Sequence, residues 1–93
     1  MLTRACYWLS RAVNPPLFAV VVSGGVARLA TGTATAAWVA DCTAIARDFG
    51  IDRGRIEGVR TWRGIGLRFS PDVPVASRQR FRNVFALHRS RRS

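Results

Sequence analysis

Apolar residues of this chain occur in two pairs of short runs, and an amphipathic stretch follows each pair. Residues 17–23 are rich in β-branched side chains, which is typical of a strand. The Gly24–Gly25 pair follows, and glycine tolerates the positive φ angles of a two-residue hairpin turn. Residues 26–31 are therefore predicted to return as a second strand, in a register that places Val22 opposite Ala27.

Side chains along this predicted hairpin alternate between a core face and a polar face. Arg28 belongs to the polar face. The core face is predicted to carry Phe18, Val20, Val22, Ala27 and Leu29.

The next stretch has apolar residues three and four positions apart, which predicts an amphipathic helix. Thr33 or Thr35 can cap its first turn, and Gly50 is a plausible stop. The apolar stripe consists of Trp38, Val39, Cys42, Ile45, Ala46 and Phe49.

The second half of the chain repeats this order. Residues 55–61 and 65–69 are predicted as strands, joined by a three-residue loop at 62–64, a register that places Val59 opposite Leu67. Residues 75–88 form the last predicted helix.

We therefore expect an α+β domain of order ββαββα, with a four-stranded, mostly antiparallel sheet and two helices on one face. Residues 1–16 are predicted to form a short amphipathic helix and a Pro-Pro linker, residues 17–88 a single domain, and residues 89–93 a basic tail.

Charge narrows the range of partners. The chain of 93 residues carries 15 Arg, no Lys and 5 acidic residues, for a net charge of +10. Such an excess favours nucleic acid, an acidic protein face or an anionic membrane surface.

Catalytic and metal chemistry have few residues available. The single His has no acidic neighbour in sequence, and the two cysteines, Cys6 and Cys42, form no metal-binding pair. We expect reduced thiols, no metal, no cofactor, no small-molecule substrate and no enzymatic activity.

Arginines cluster on the last predicted helix and the tail, where they could follow a phosphate backbone or form a solvated face. Gln79 and Asn83 share one helix face there, and could read base edges or hold the adjoining loop. The candidate polyanion site is Arg78, Arg80, Arg82, Arg89, Arg91 and Arg92.

Aromatic residues beside arginines give a second candidate surface. Trp62 lies between Arg60 and Arg63 at a predicted hairpin tip, where it could stack a base, enter a lipid interface, anchor a protein partner, or fold back on the sheet. Tyr7, Trp8 and the flanking arginines give the N-terminal segment the composition of an interfacial helix. The alternative is that Leu2, Cys6 and Leu9 pack on the domain.

Four segments between residues 18 and 85 have a distinctive pattern: DCTAIARDFGI (41–51), GRIEGVR (54–60), LRFSPDVP (67–74) and RQRFRNVF (78–85). In these segments the chain resembles a family of short bacterial proteins known only as a domain of unknown function. The resemblance implies an N-terminal membrane segment, but residues 1–16 are short for one and carry two Arg. It implies no activity.

The sequence thus predicts a small non-enzymatic binding or scaffold domain that contacts nucleic acid or an acidic protein surface through its Arg-rich helix and tail. The alternative is a peripheral membrane protein held by its N-terminal segment. We expect a cytoplasmic location, with membrane association under the alternative.

Overall fold

The computed structural model describes residues 15–90. The helix predicted over residues 1–13, and with it Tyr7 and Trp8, lies outside the described residues, as do Arg91 and Arg92 of the predicted tail. The elements are β1 (Phe18–Ser23), β2 (Val26–Gly32), α1 (Ala36–Phe49), β3 (Arg53–Thr61), β4 (Gly64–Phe69) and α2 (Val75–Ser90). This order confirms the predicted ββαββα fold.

The four strands form one antiparallel sheet of order β2-β1-β3-β4. The two hairpins join through their first strands, so that Val20 of β1 lies opposite Ile56 of β3. The predicted register of the first hairpin is confirmed, with Val22 opposite Ala27.

The predicted register of the second hairpin is wrong by one residue. Thr61 pairs with Gly64 and Val59 with Gly66, so the loop has two residues rather than three. The Thr61 hydroxyl accepts a hydrogen bond from the Arg63 N–H at 3.2 Å and donates one to the Gly64 carbonyl at 3.2 Å. These hydrogen bonds from one side chain to the backbone close the hairpin with a loop one residue shorter than predicted.

Helix α1 begins and ends at residues that the sequence indicated. Thr35 caps it by accepting a hydrogen bond from the Trp38 N–H at 3.1 Å. Gly50 ends it in the left-handed conformation, at a φ of 64°. Helix α2 runs to Ser90, two residues beyond the predicted end, because the Arg89 guanidinium donates to the Ile65 carbonyl and holds the last turn against β4.

The core lies between the sheet and both helices. Trp38, Cys42, Ile45 and Ala46 of α1 are buried there with Phe81 of α2. Leu29 was predicted to share this core but is 38% exposed, because β2 is an edge strand of the sheet.

Phe18 joins β1 to both helices. Its ring lies over Gly58, its cross-strand partner, and is 6.5 Å from the Trp38 ring and 5.8 Å from the Phe85 ring, centroid to centroid. Only a residue without a side chain leaves room for the ring on β3.

The two helices run antiparallel. Asp41 and Asp48 of α1 contact His88 and Arg80 of α2, so the start of α1 lies beside the end of α2. The hairpin tip between β3 and β4 is at this same end of the domain, since Arg89 contacts Ile65.

We predict that Gly58→Ala destabilises the domain by roughly 1–3 kcal/mol, because the added methyl group would overlap the Phe18 ring. Gly66→Ala on the adjacent strand is the matched control. Its added methyl group meets Thr61 Cγ2 at 3.2 Å, and we expect a change below about 1 kcal/mol. Urea unfolding measures both, and equal losses would contradict the close contact of Phe18 with Gly58.

Candidate functional site

Trp62 is the most exposed large apolar residue of the described chain. Its side chain is 88% exposed in the two-residue loop between β3 and β4, so it does not fold back on the sheet. The Arg63 guanidinium lies 4.6 Å from the centre of its ring. An exposed indole of this kind is open to a flat or apolar partner.

Two further arginines lie at the same end of the domain. Arg60 pairs across the hairpin with Ile65, and the carbonyl of Ile65 accepts a hydrogen bond from Arg89 Nη1 at 3.1 Å. We call Arg60, Trp62, Arg63 and Arg89 the tip surface. None of the chain's five carboxylates belongs to it.

Three of the acidic side chains have contacts with other side chains, one of them at the same end of the domain as the tip surface. Asp48 pairs with Arg80 at 3.1 Å near the opposite end of the domain, and Asp72 contacts the Ser70 hydroxyl there. Asp41 Oδ2 lies 2.5 Å from His88 Nε2. Within residues 15–90, none of these three carboxylates is hydrogen-bonded or ion-paired to Arg63 or Arg89.

The arginines predicted on the last helix do not form one surface. Arg78 turns inward and donates to the Val73 and Ser70 carbonyls, which ties the start of α2 to the preceding loop. Arg80 pairs with Asp48, and the Arg82 guanidinium lies 5.2 Å from the centre of the Phe69 ring. Only Arg89 of the described set reaches the tip surface.

Gln79 and Asn83 bond to each other rather than to the adjoining loop. Gln79 Nε2 donates to Asn83 Oδ1 at 2.9 Å on the exposed side of α2. Their polar groups are thus engaged along the helix, as is common for side chains four residues apart.

A buried ion cluster on the other face of the sheet was not foreseen from the sequence. Glu57 is wholly buried, and its two carboxylate oxygens accept hydrogen bonds from Arg55 Nε at 2.7 Å and Arg68 Nε at 3.0 Å. Alternation along β3 placed Glu57 away from the helices, but nothing in the sequence signalled its burial. Two of the fifteen arginines are held there as its ion-pair partners.

The pairing of His88 with Asp41 was also missed, because 47 residues separate them. No hydrogen bond within residues 15–90 joins His88 to a hydroxyl or thiol that could serve as a nucleophile. Among the same residues, no three acidic, His or Cys side chains group closely enough to hold a metal ion.

Cys42 is a free thiol, and it lies in the core as its place in the apolar stripe of α1 predicted, while Cys6 lies outside the described residues. Burial raises the pKa of the Cys42 thiol well above its usual range, and the neighbouring Asp41 charge raises it further. The thiol is therefore held in its unreactive, protonated form.

The fold and the tip surface define a small basic α+β domain with an aromatic-arginine surface at one end. The chain belongs to a family of proteins of unknown function, DUF3634, whose profile matches residues 2–93. This finding confirms the resemblance to a domain of unknown function, but the N-terminal membrane segment that the resemblance implied is not supported. No curated protein and no solved structure matches the chain. Neither helix within residues 15–90 has the length and apolar character needed to cross a bilayer.

We predict that Cys42 resists thiol reagents in the native protein. A Cys6→Ser variant leaves Cys42 as the single thiol, and its reaction with a chromogenic disulfide at mildly alkaline pH is followed with and without denaturant. We expect rapid labelling only after unfolding, because the native thiol is buried and protonated. Native labelling as fast as that of the unfolded chain would contradict the buried position.

Proposed function

We propose that this protein is a non-enzymatic binding domain for single-stranded nucleic acid, which it contacts at the tip surface. The observation that carries the proposal is the 88% exposure of Trp62 next to arginines at one end of the domain. The proposal keeps the polyanion expected from the sequence and moves the contact from the helix and tail to the hairpin tip.

Trp62 supplies the aromatic group that such binding requires. Bases of a single strand stack on exposed aromatic side chains, and each stack contributes about 1–3 kcal/mol with little sequence preference. The Arg63 guanidinium already lies against this indole, and it adds a cation beside the stacked base.

The arginines of the tip surface supply contacts to phosphate. Two such contacts to a single strand, from Arg63 and Arg89, give a slope of log affinity against log salt of about 1.4. A duplex suits the surface less well, because its bases are already stacked on one another. An acidic protein face offers charge but no flat ring for Trp62.

Trp62→Ala is predicted to weaken binding to a fluorescent oligothymidylate about tenfold at physiological ionic strength, since one stacking contact is lost. Trp62→Phe keeps an aromatic ring and should retain most of the affinity. Fluorescence anisotropy across a salt series measures affinity and slope together.

Arginine controls test whether position matters as well as charge. Arg63→Ala should lower both the affinity and the salt slope. Arg53→Ala removes the same charge from an exposed position at the other end of the sheet, outside the proposed contact, and should lower them less. Equal losses for the two variants, or unchanged binding by Trp62→Ala, would overturn the proposal.

Peripheral membrane association is the second candidate. It is supported by the exposed Trp62, since tryptophan and arginine together suit the bilayer interface, and by Tyr7 and Trp8 with their flanking arginines. In this case anionic vesicles, rather than oligonucleotides, would be the tight partner.

Flotation with phosphatidylglycerol vesicles separates the two candidates. If the membrane is the partner, the protein floats, and a Tyr7→Ser/Trp8→Ser variant loses most of the floating fraction because each removed aromatic weakens interfacial insertion. Phosphatidylcholine vesicles are the control for charge. Failure to float under conditions in which the oligonucleotide binds would exclude the second candidate.

A further inference from the structure

A pocket of about 410 Å³ opens between the start of β1, the loop before α1 and the end of α2. Its volume lies within the range of small-molecule sites, about 300–1,000 Å³. Its interior is aromatic, with the buried Phe18 and Trp38 and the partly buried Phe85. Thr33, His88 and Arg89 form a polar rim. The pocket thus combines an apolar interior with a few polar groups at its mouth.

The three rings form an open cage. The Trp38 and Phe85 centroids are 5.1 Å apart at 56°, and Phe18 meets Trp38 edge to face at 6.5 Å. Aromatic rings prefer such tilted arrangements. Trp38 and Phe18 are buried, so a further ring in the pocket would meet mainly the partly buried Phe85 ring.

Trp38 has an unused hydrogen-bond donor. The residue is 2% exposed, and its indole N–H has no acceptor among the described residues. Buried donors are nearly always paired, with the protein, water or a ligand. The indole nitrogen is itself buried, so it lies behind the pocket surface and responds to a ligand through its ring rather than by direct contact.

The mouth of the pocket favours an anion. Arg89 donates through Nη1 to the Ile65 carbonyl and has further N–H donors in its guanidinium. His88 is held by Asp41 Oδ2, the carboxylate that faces it from α1. No acidic residue occupies the first turn of α1, which begins beside Thr35, and Asp41 of the second turn is engaged by His88.

We propose that this pocket binds a small aromatic carboxylate. The aromatic body lies against Phe85, above the buried rings of Phe18 and Trp38, and the carboxylate lies at the rim beside Arg89. The pocket shares Arg89 with the tip surface but does not include the exposed Trp62, and its ligand does not depend on the nucleic-acid function proposed above.

Nuclear magnetic resonance of the ¹⁵N-labelled full chain locates the ligand directly. The chain has three Trp and therefore three indole N–H signals, and Trp8→Phe and Trp62→Phe variants identify two of them and leave that of Trp38. Titration with 2-naphthoate should shift the Trp38 signal saturably, with a Kd below about 1 mM, and leave the Trp62 signal in place. 2-Naphthamide has nearly the same shape without the charge, and should bind at least tenfold more weakly.

Two matched variants test the role of the rim. Arg89→Gln should weaken 2-naphthoate binding at least fivefold, while Arg82→Gln on the same helix, exposed and outside the pocket lining, should leave it unchanged. The proposal is overturned if the Trp38 signal shows no saturable shift at millimolar ligand, if the amide binds as well as the carboxylate, or if both arginine variants behave alike. A shift of the Trp62 signal alone would mean that the ligand binds the tip surface and not the pocket.

Discussion

The ring of Phe18 lies in the space above Gly58 and from there contacts Trp38 of α1 and Phe85 of α2. This contact ties the central strand pair to both helices, so that the start of α1 and the end of α2 meet over the same end of the sheet. The pocket is lined by these three rings, and the Arg89 contact with Ile65 sets the adjoining tip surface beside it. A side chain at position 58 would displace the ring and with it the positions of both helix ends.

The charge of +10 is distributed unevenly by the fold. Acidic groups hold particular arginines in structural pairs, with Glu57 buried between Arg55 and Arg68, and Asp48 paired with Arg80. A buried pair of this kind is costly to break, because removal of one partner leaves the other charge in a poorly solvated place. The tip surface contains none of the carboxylates, and it is there that we place the anionic partner.

The order of the elements and the register of the first hairpin could be predicted because both depend on local patterns in the sequence. These patterns are the β-branched runs, the Gly24–Gly25 turn and the apolar residues spaced three and four positions apart. The predicted register of the second hairpin was wrong because hydrogen bonds of the Thr61 hydroxyl shorten the turn. The alternation of side chains along a strand does not indicate such hydrogen bonds. The site was less predictable still. Arginine spacing along α2 could not reveal that Arg78 turns inward, and the contacts of His88 and of the pocket aromatics join residues far apart in sequence.

The central claim is that one end of the domain, and not the long face of α2, meets the anionic partner. Backbone amide signals of the ¹⁵N-labelled chain, followed during titration with oligothymidylate at physiological ionic strength, test it most directly. The account predicts that the largest shifts fall at residues 60–65 and 86–90, with residues 47–53 unaffected. Shifts concentrated at residues 78–83, or at the opposite end of the sheet, would contradict it.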